Sequence, residues 1–342
     1  MRIGVLTGGG DAPGLNAAIR AVVRRSMQYG YEVIGIKRGW AGLLDMDYVR
    51  LDRDAVSGIL PKGGTMLGTS RTNPFSNEAD QKKLVENIGK LGLDVIVSIG
   101  GDDTQSVSSK LSDLGFKVVG IPKTIDNDLY GTDRTFGFDT AVSIATEAID
   151  RIHTTAESHQ RTIVVEVMGR HAGWIALYSG LAGGADVILI PEEPFDVDEV
   201  CSMVKKRYEE GRKFAVVVVA EGAVPKGIPD FFTRSAEKDA FGHVRLGGIG
   251  EWLEKEIEKR TGIETRSVVL GHVQRGGSPT AFDRVLATRF GLAAVDAVKQ
   301  GNLNVMVSLQ GEKITTIPIK EAVKANRIVP EDMRWLAKAF SP

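Results

Sequence analysis

Two short segments of this chain carry acidic side chains in settings where they could do chemistry. Gly100-Gly101-Asp102-Asp103-Thr104 follows the apolar run Val95-Ile96-Val97-Ser98-Ile99, and Pro122-Lys123-Thr124-Ile125-Asp126-Asn127-Asp128 follows Val118-Val119-Gly120-Ile121. Each puts carboxylates on a turn at the C-terminal end of a strand expected to be buried and parallel, the edge where open α/β sheets bind ligands. In the first turn two glycines let the backbone approach a phosphate, and Asp102 could ligate Mg²⁺, because hard cations favour oxygen. An Asp capping the following helix explains a lone Asp102 equally well. Asp103 beside it weakens that explanation, since adjacent carboxylates repel unless a cation compensates them. In the second turn Asp126 and Asp128 point the same way if the chain is extended. A carboxylate within hydrogen-bond reach of a hydroxyl can take its proton, although an Asx-rich turn uses the same residues. Lys123 is a candidate counter-charge for a phosphate leaving group, and these parts together suit phosphoryl transfer.

A third glycine-rich segment, Thr7-Gly8-Gly9-Gly10-Asp11, lies between a strand pattern and a helix pattern. Its N–H groups could face an anion near a helix N-terminus, or it could be a plain tight turn. Arginines recur beside glycines or at strand ends: Arg71, Arg161, Arg170, Arg266 and Arg275. Arginine clamps phosphate through two parallel hydrogen bonds, yet any one of these could be an ordinary surface residue. His153, His159 and His171 lack metal-ligand spacing and read as structural, and His243 reads as surface. Arg20, Arg24 and Arg25 on the first helix could line an effector pocket or form a solvated face.

The elements that must position these residues alternate. Apolar strand patterns occur at Arg2–Thr7, Val33–Lys37, Asp94–Ile99, Val118–Ile121, Thr162–Val167, Val187–Ile190, Phe214–Ala220 and Ser267–Leu270. Most are apolar throughout, as parallel strands covered on both faces must be. Helix patterns lie between them, at Gly14–Tyr29, Asp139–Thr155, Asp196–Glu210, Gly248–Thr261 and Ala281–Lys299. This order predicts doubly wound sheets. Near the end, Val305–Leu309 and Ile314–Ile319 read as a β-hairpin, followed by a helix near Pro330–Phe340. The 342 residues allow one large or two ordinary domains. A net charge of -1 argues against a general nucleic-acid binder. Cys201 is the single cysteine, so no intrachain disulfide forms and a cytoplasmic setting is expected. The first residues run straight into a strand pattern, with no signal-peptide pattern. No apolar run approaches the ~20 residues that span a bilayer, so no membrane partner is expected.

Six motifs in order make the chain resemble the phosphofructokinase family along essentially its whole length: Leu6-Thr7-Gly8-Gly9-Gly10-Asp11, Gly63-Gly64-Thr65, Gly100-Gly101-Asp102, Thr124-Ile125-Asp126-Asn127-Asp128, Val167-Met168-Gly169-Arg170 and Gly271-His272-Val273-Gln274-Arg275-Gly276-Gly277. The resemblance implies two doubly wound, mostly parallel-sheet, three-layer α/β sandwich domains with the active site between them. The larger, donor domain would comprise 1–137 with 275–302, and the smaller, acceptor domain 138–274 with 303–342. It implies a glycolytic enzyme that phosphorylates fructose 6-phosphate at its 1-hydroxyl, using Mg²⁺ at Asp102. Asp126 would be the proton acceptor, with Asp128 beside it. Arg170 and Arg71 would stabilise the transferring phosphoryl group, and Gly10 and Thr104 would contact the donor. Thr124, Ile125, Met168, Gly169, Glu221, His272, Val273, Gln274 and Arg275 would contact the sugar phosphate. Arg161 and Arg266 match contacts from a neighbouring subunit, which implies a homodimer or homotetramer with shared active sites.

Two departures bear on the donor. Family members that use ATP typically have glycine at the position of Asp103, and many also at that of Lys123. A carboxylate at 103 would crowd and repel the α-phosphate of ATP. Two like unit charges at ~4 Å and an effective dielectric of ~20 cost about 4 kcal/mol. Pyrophosphate ends before that point, and Lys123 can neutralise the departing phosphate. The pair resembles the pyrophosphate-dependent branch, expected to run reversibly, with an ATP-dependent enzyme as the alternative. An NAD- or lipid-type kinase gives no reason for Thr124–Asp128 together with His272–Gly277. A non-catalytic sensor would be free to lose Asp126, and a dinucleotide dehydrogenase needs a G-x-G-x-x-G turn that is absent.

Overall fold

The computed structural model describes residues 1–228, 232–235, 240–243 and 245–339. Along the chain run β1 (Arg2–Thr7), α1 (Leu15–Gln28), β2 (Glu32–Ile36), α2 (Trp40–Asp45), β3 (Tyr48–Leu51), α3 (Glu78–Leu91), β4 (Val95–Gly100), α4 (Asp102–Asp113), β5 (Val118–Thr124), β6 (Phe136–Gly137) and α5 (Phe138–His159). There follow β7 (Thr162–Val167), α6 (Trp174–Ala182), β8 (Val187–Leu189), α7 (Val197–Glu209), β9 (Ala215–Ala220), β10 (Thr233–Ser235), β11 (Arg245–Leu246), α8 (Ile249–Thr261) and β12 (Thr265–Val269). A 3₁₀ turn (Gly271–Arg275) then precedes α9 (Ala281–Gln300), β13 (Val305–Gln310), β14 (Lys313–Pro318), α10 (Ile319–Ala322) and α11 (Glu331–Arg334). No described helix is long and apolar enough to cross a membrane. The chain folds as two compact units.

The first unit holds 1–140, 240–243 and 275–327. Its sheet runs β14-β13-β5-β4-β1-β2-β3, with β6 on β5. The strands β2, β1, β4, β5 and β13 are mutually parallel, and only the edges β3 and β14 run antiparallel. Strand alternation explains why two helical layers are needed. Ile3, Val5, Val95, Val97 and Val119 face a core shared with α1 and α9, whereas Leu6, Ile96 and Val118 face one shared with α2, α3 and α4. A side chain of this kind contributes about 1.5–3 kcal/mol when fully buried, so a strand apolar on both faces is stable only between two layers. From β1 the chain winds first toward β2 and β3, then returns to β4 and β5 on the other side. The strand order therefore reverses at β1 and β4, and the region outside their C-terminal ends is where open α/β sheets bind ligands.

The second unit holds 141–228, 232–235, 245–274 and 328–339 among the described residues. Its four-stranded sheet, β12-β7-β9-β8, is wholly parallel. Val164, Val217 and Val219 face α7 and α8, and Val165, Val216 and Val218 of opposite parity are equally buried.

The expected placement of 303–342 with the second domain is corrected. Val305 pairs with Val119 and Met306 with Gly120, so β13 and β14 extend the first sheet. The reason lies in the run itself: Met306 and Val307 are both fully buried, and a strand apolar on both faces needs a place inside a sheet. Only 328–339 accompany the second unit. The helix expected near Pro330–Phe340 reduces to α11 and a 3₁₀ turn at Trp335–Ala337, and residue 340 lies outside the described residues.

Candidate active site

The glycine loop after β1 is held by its carbonyl oxygens. Lys123 Nζ donates to Gly8 O at 2.9 Å and also to Gly10 O. Thr69 Oγ1 donates to Gly9 O at 2.6 Å, and Arg275 Nη1 to Asp11 O at 3.2 Å. Four successive carbonyls are thus turned onto side chains, so an anion at the loop meets Lys123 and Arg275 rather than bare oxygens. At Gly10 an added Cβ would lie 2.6 Å from Arg275 Nη1, so the guanidinium would have to shift aside. At Gly100 an added Cβ would lie 2.3 Å from Thr104 Oγ1. Thr104, expected to touch the donor, is 2 % exposed; its side chain wedges against the loops. Arg71 is exposed nearby in sequence to Thr69.

Lys123 is 2 % exposed. Burial pushes its ammonium down to about 7 from the usual 10.5; Arg275 pushes the same way, and Asp11, Asp126 and Asp128 partly offset both. A cation held this close to neutrality regains its charge when an anion arrives.

Asp102 and Asp103 open α4 at the reversal point. Asp102 Oδ1 accepts from the Asp103 N–H at 2.8 Å. Asp103 Oδ1 lies 3.0 Å from His243 Nε2. The expectation of a surface His243 is corrected: it is half-buried, and one ligand atom from each of Asp102, Asp103 and His243 lies within 4.8 Å of the others. With the two residues 140 positions apart, no spacing rule could have found this pair.

The segment after β5 is a braced loop. Asp126 N donates to Thr124 Oγ1 at 3.0 Å, and Thr135 N donates to Asn127 Oδ1 at 3.0 Å. Asn127 adopts φ 54, so the backbone is not extended and the simple alternation expected for Asp126 and Asp128 does not apply. Asp126 is 5 % exposed, and its Oδ1 is buried without a hydrogen-bond partner among the described residues. A buried acceptor left unpaired costs about 1–3 kcal/mol, more when charged.

In the second unit Glu221, just after β9, accepts from the N–H groups of Gly169 and Arg170 at 3.3 and 3.1 Å. Arg170 sits at φ 50, a strained value for a non-glycine residue. Arg161 and Arg266 both pair with Glu264, at 3.1 and 2.8 Å. Met168 is half-buried, His272 exposed and Val273 62 % exposed. Gln274 is fully buried, its Nε2 donating to Gly271 O. Arg275, expected to contact the sugar phosphate, closes the 3₁₀ turn, and its Nη1 reaches Asp11 O at 3.2 Å. The 3₁₀ turn returns the chain to the first unit there, and the guanidinium lies on the glycine loop.

Residues 2–298 match the model of the family described as Phosphofructokinase, and the chain belongs to the phosphofructokinase family. It is 60 % identical over 324 residues to the pyrophosphate–fructose 6-phosphate 1-phosphotransferase of Streptomyces coelicolor, covering 94 % of each chain. It is 55 % identical over 333 residues to ATP-dependent 6-phosphofructokinase 3 of the same organism, covering 97 % of each. Among solved structures it resembles the T-state phosphofructokinase of Pichia pastoris, with a TM-score of 0.84 and 36 % identity over 94 % of this chain and 35 % of that one. Relatives named for the two donors stand this close together, so overall likeness does not decide between them.

Proposed function

We propose that the protein catalyses reversible, pyrophosphate-dependent phosphorylation of fructose 6-phosphate to fructose 1,6-bisphosphate, a glycolytic reaction, in the cytoplasm. The observation that carries the choice of donor is the Asp103 carboxylate, held by His243 at the head of α4, with Lys123 lying on the carbonyls of the glycine loop. A nucleotide α-phosphate would meet the first as a like charge, whereas pyrophosphate supplies a partner for the second.

The oxygen donors at Asp102 and Asp103 suit Mg²⁺, with Asp102 as the holding residue. Bound there, it would neutralise charge on the diphosphate. Asp126, with one carboxylate oxygen unpartnered, takes the proton of the sugar 1-hydroxyl as that oxygen bonds to phosphorus. The bridging P–O bond of pyrophosphate breaks, and Lys123 stabilises the departing phosphate. Arg170 and Arg71 balance charge on the transferring group. Gly10 lines the donor, and Thr124, Ile125, Met168, Gly169, Glu221, His272, Val273 and Gln274 contact the sugar phosphate. Arg161 and Arg266 act on a neighbouring subunit's substrate in a homo-oligomer. Arg275 is assigned to the donor loop, on its contact with Asp11.

The test compares initial rates with pyrophosphate and ATP at equal concentration, fructose 6-phosphate and Mg²⁺ being present. Strong preference for pyrophosphate is expected, and Asp103→Gly, alone or with Lys123→Gly, should collapse it and admit some ATP. The second reading, an ATP-dependent enzyme, is favoured by the 55 % identical relative. Preference for ATP would overturn the donor assignment while leaving the acceptor chemistry in place.

A further inference from the structure

We infer that Arg327 is a positioning residue for the loop that carries Asp126, an inference resting on the base role proposed above. The loop is braced internally through Thr124, Asn127 and Thr135. It is also met by a segment 200 positions later: Arg327 Nη1 donates to Asn127 O at 3.1 Å, and Arg327 N donates to Asp128 O at 2.7 Å. One residue further on each strand, Leu129 and Asn326 form an antiparallel bridge. The two carbonyls following Asp126 are therefore both fixed by one residue.

The rest of the hairpin explains how Arg327 gets there. Leu129, Met306 and Ala322 share a small buried cluster with Ile317 against it. Ser308 Oγ donates to Gly131 O, and Leu309 N to Thr132 Oγ1. Thus β13, β14 and α10 are stitched to the chain just beyond the loop and deliver Arg327 to its back. Asn127 tolerates its left-handed φ of 54 better than most residues, but the conformation persists only where surroundings hold it. Arg327 adds to the hold that Thr135 exerts on the Asn127 side chain. A base displaced by about 1 Å can lose ~100-fold in rate, so the contact bears on turnover rather than on substrate affinity.

The experiment measures kcat, both KM values and Tm for Arg327→Ala, Arg327→Lys and Arg327→Gln, with Asp126→Asn alongside. Expected are a fall in kcat of at least about tenfold in Arg327→Ala, which keeps the main-chain bond to Asp128 O but loses the one to Asn127 O, with both KM values within about twofold, and partial recovery in Arg327→Lys, whose ammonium can donate to Asn127 O in place of the guanidinium. A residue needed only for folding would lower Tm and yield but not kcat per folded molecule. Should Arg327→Ala not fold, Arg327→Gln decides the matter by the same comparison. Wild-type kcat in the folded variant overturns the inference. Wild-type kcat in Asp126→Asn would instead overturn the base assignment beneath it.

Discussion

His243 Nε2 stands 3.0 Å from Asp103 Oδ1, and the segment that brings it is anchored by Phe241 against the core of Leu6, Ile36 and Trp40. The imidazole fixes which way the carboxylate faces at the head of α4. A half-buried hydrogen bond of this kind contributes about 1 kcal/mol, roughly a factor of five. His243→Ala should therefore raise the KM for pyrophosphate about fivefold and leave the KM for fructose 6-phosphate unchanged. His243→Asn, which keeps a donor, should recover part. Steady-state titration of each substrate at saturation of the other reads the difference, and equal effects on both KM values would rule out a donor-specific role.

Lys123 makes a prediction in pH. Its folded value of about 7 lies below the usual 10.5, so between those limits the unfolded chain binds a proton that the folded chain lacks. Stability then rises with pH across that window, and below about pH 7 the full cost of the buried charge is felt. Relative to Lys123→Met, the wild type should gain up to about 1.4 kcal/mol per pH unit, read by urea unfolding at pH 7, 8 and 9. Parallel curves for the two proteins would refute the perturbed lysine. Pyrophosphate should also bind with proton uptake above pH 7, seen as a buffer-dependent heat.

The turns that carry the candidate site could be read from the chain because local rules write them. The turns after β1, β4 and β5 follow from apolar runs ending in glycine or Asx residues, and the reversal of strand order lies where those turns fall. What escaped was set by long-range packing. The pairing of β13 with β5 depends on a sheet edge that no local pattern names. His243 reaches Asp103, and Arg327 reaches Asn127, across 140 and 200 positions. The same holds for Arg275: its motif was legible, but not that the chain changes units at its residue. The left-handed Asn127 also had no signal beyond the general tolerance of Asn for that region.

Arg161 and Arg266 share one carboxylate, Glu264, itself 43 % exposed. Exposed pairs contribute at most about 1 kcal/mol, too little to keep either guanidinium from a phosphate. If the two act on a neighbouring subunit's substrate, Arg161→Ala and Arg266→Ala should each raise the KM for fructose 6-phosphate at least about tenfold. Tm of Arg266→Ala, the more exposed of the two, should fall by no more than about 2 °C. Sedimentation should show an oligomer in all three proteins. A monomeric, fully active wild type would remove the shared-site reading.

Asp283 is fully buried at the start of α9, and its Oδ2 accepts from Thr140 N at 2.8 Å and Thr140 Oγ1 at 2.5 Å. It thereby fastens α9 to the residues just after β6, which pairs with Lys123 and Thr124 of β5. Burial pushes its carboxyl up to about 6 from 3.8, against the hydrogen bonds from Thr140 and Gly137 and with help from Asp139. Between those two values the folded chain holds a proton that the unfolded chain releases, so this group's contribution is complete below about pH 3.8 and is lost as pH rises through 6. Asp283→Asn mimics the protonated form at every pH. Relative to it, the wild type should lose up to about 3 kcal/mol between pH 4 and 6.5, measured by urea unfolding across that range. A constant difference would mean that the carboxyl stays ionised despite its burial, with the Thr140 and Gly137 donors outweighing the loss of water.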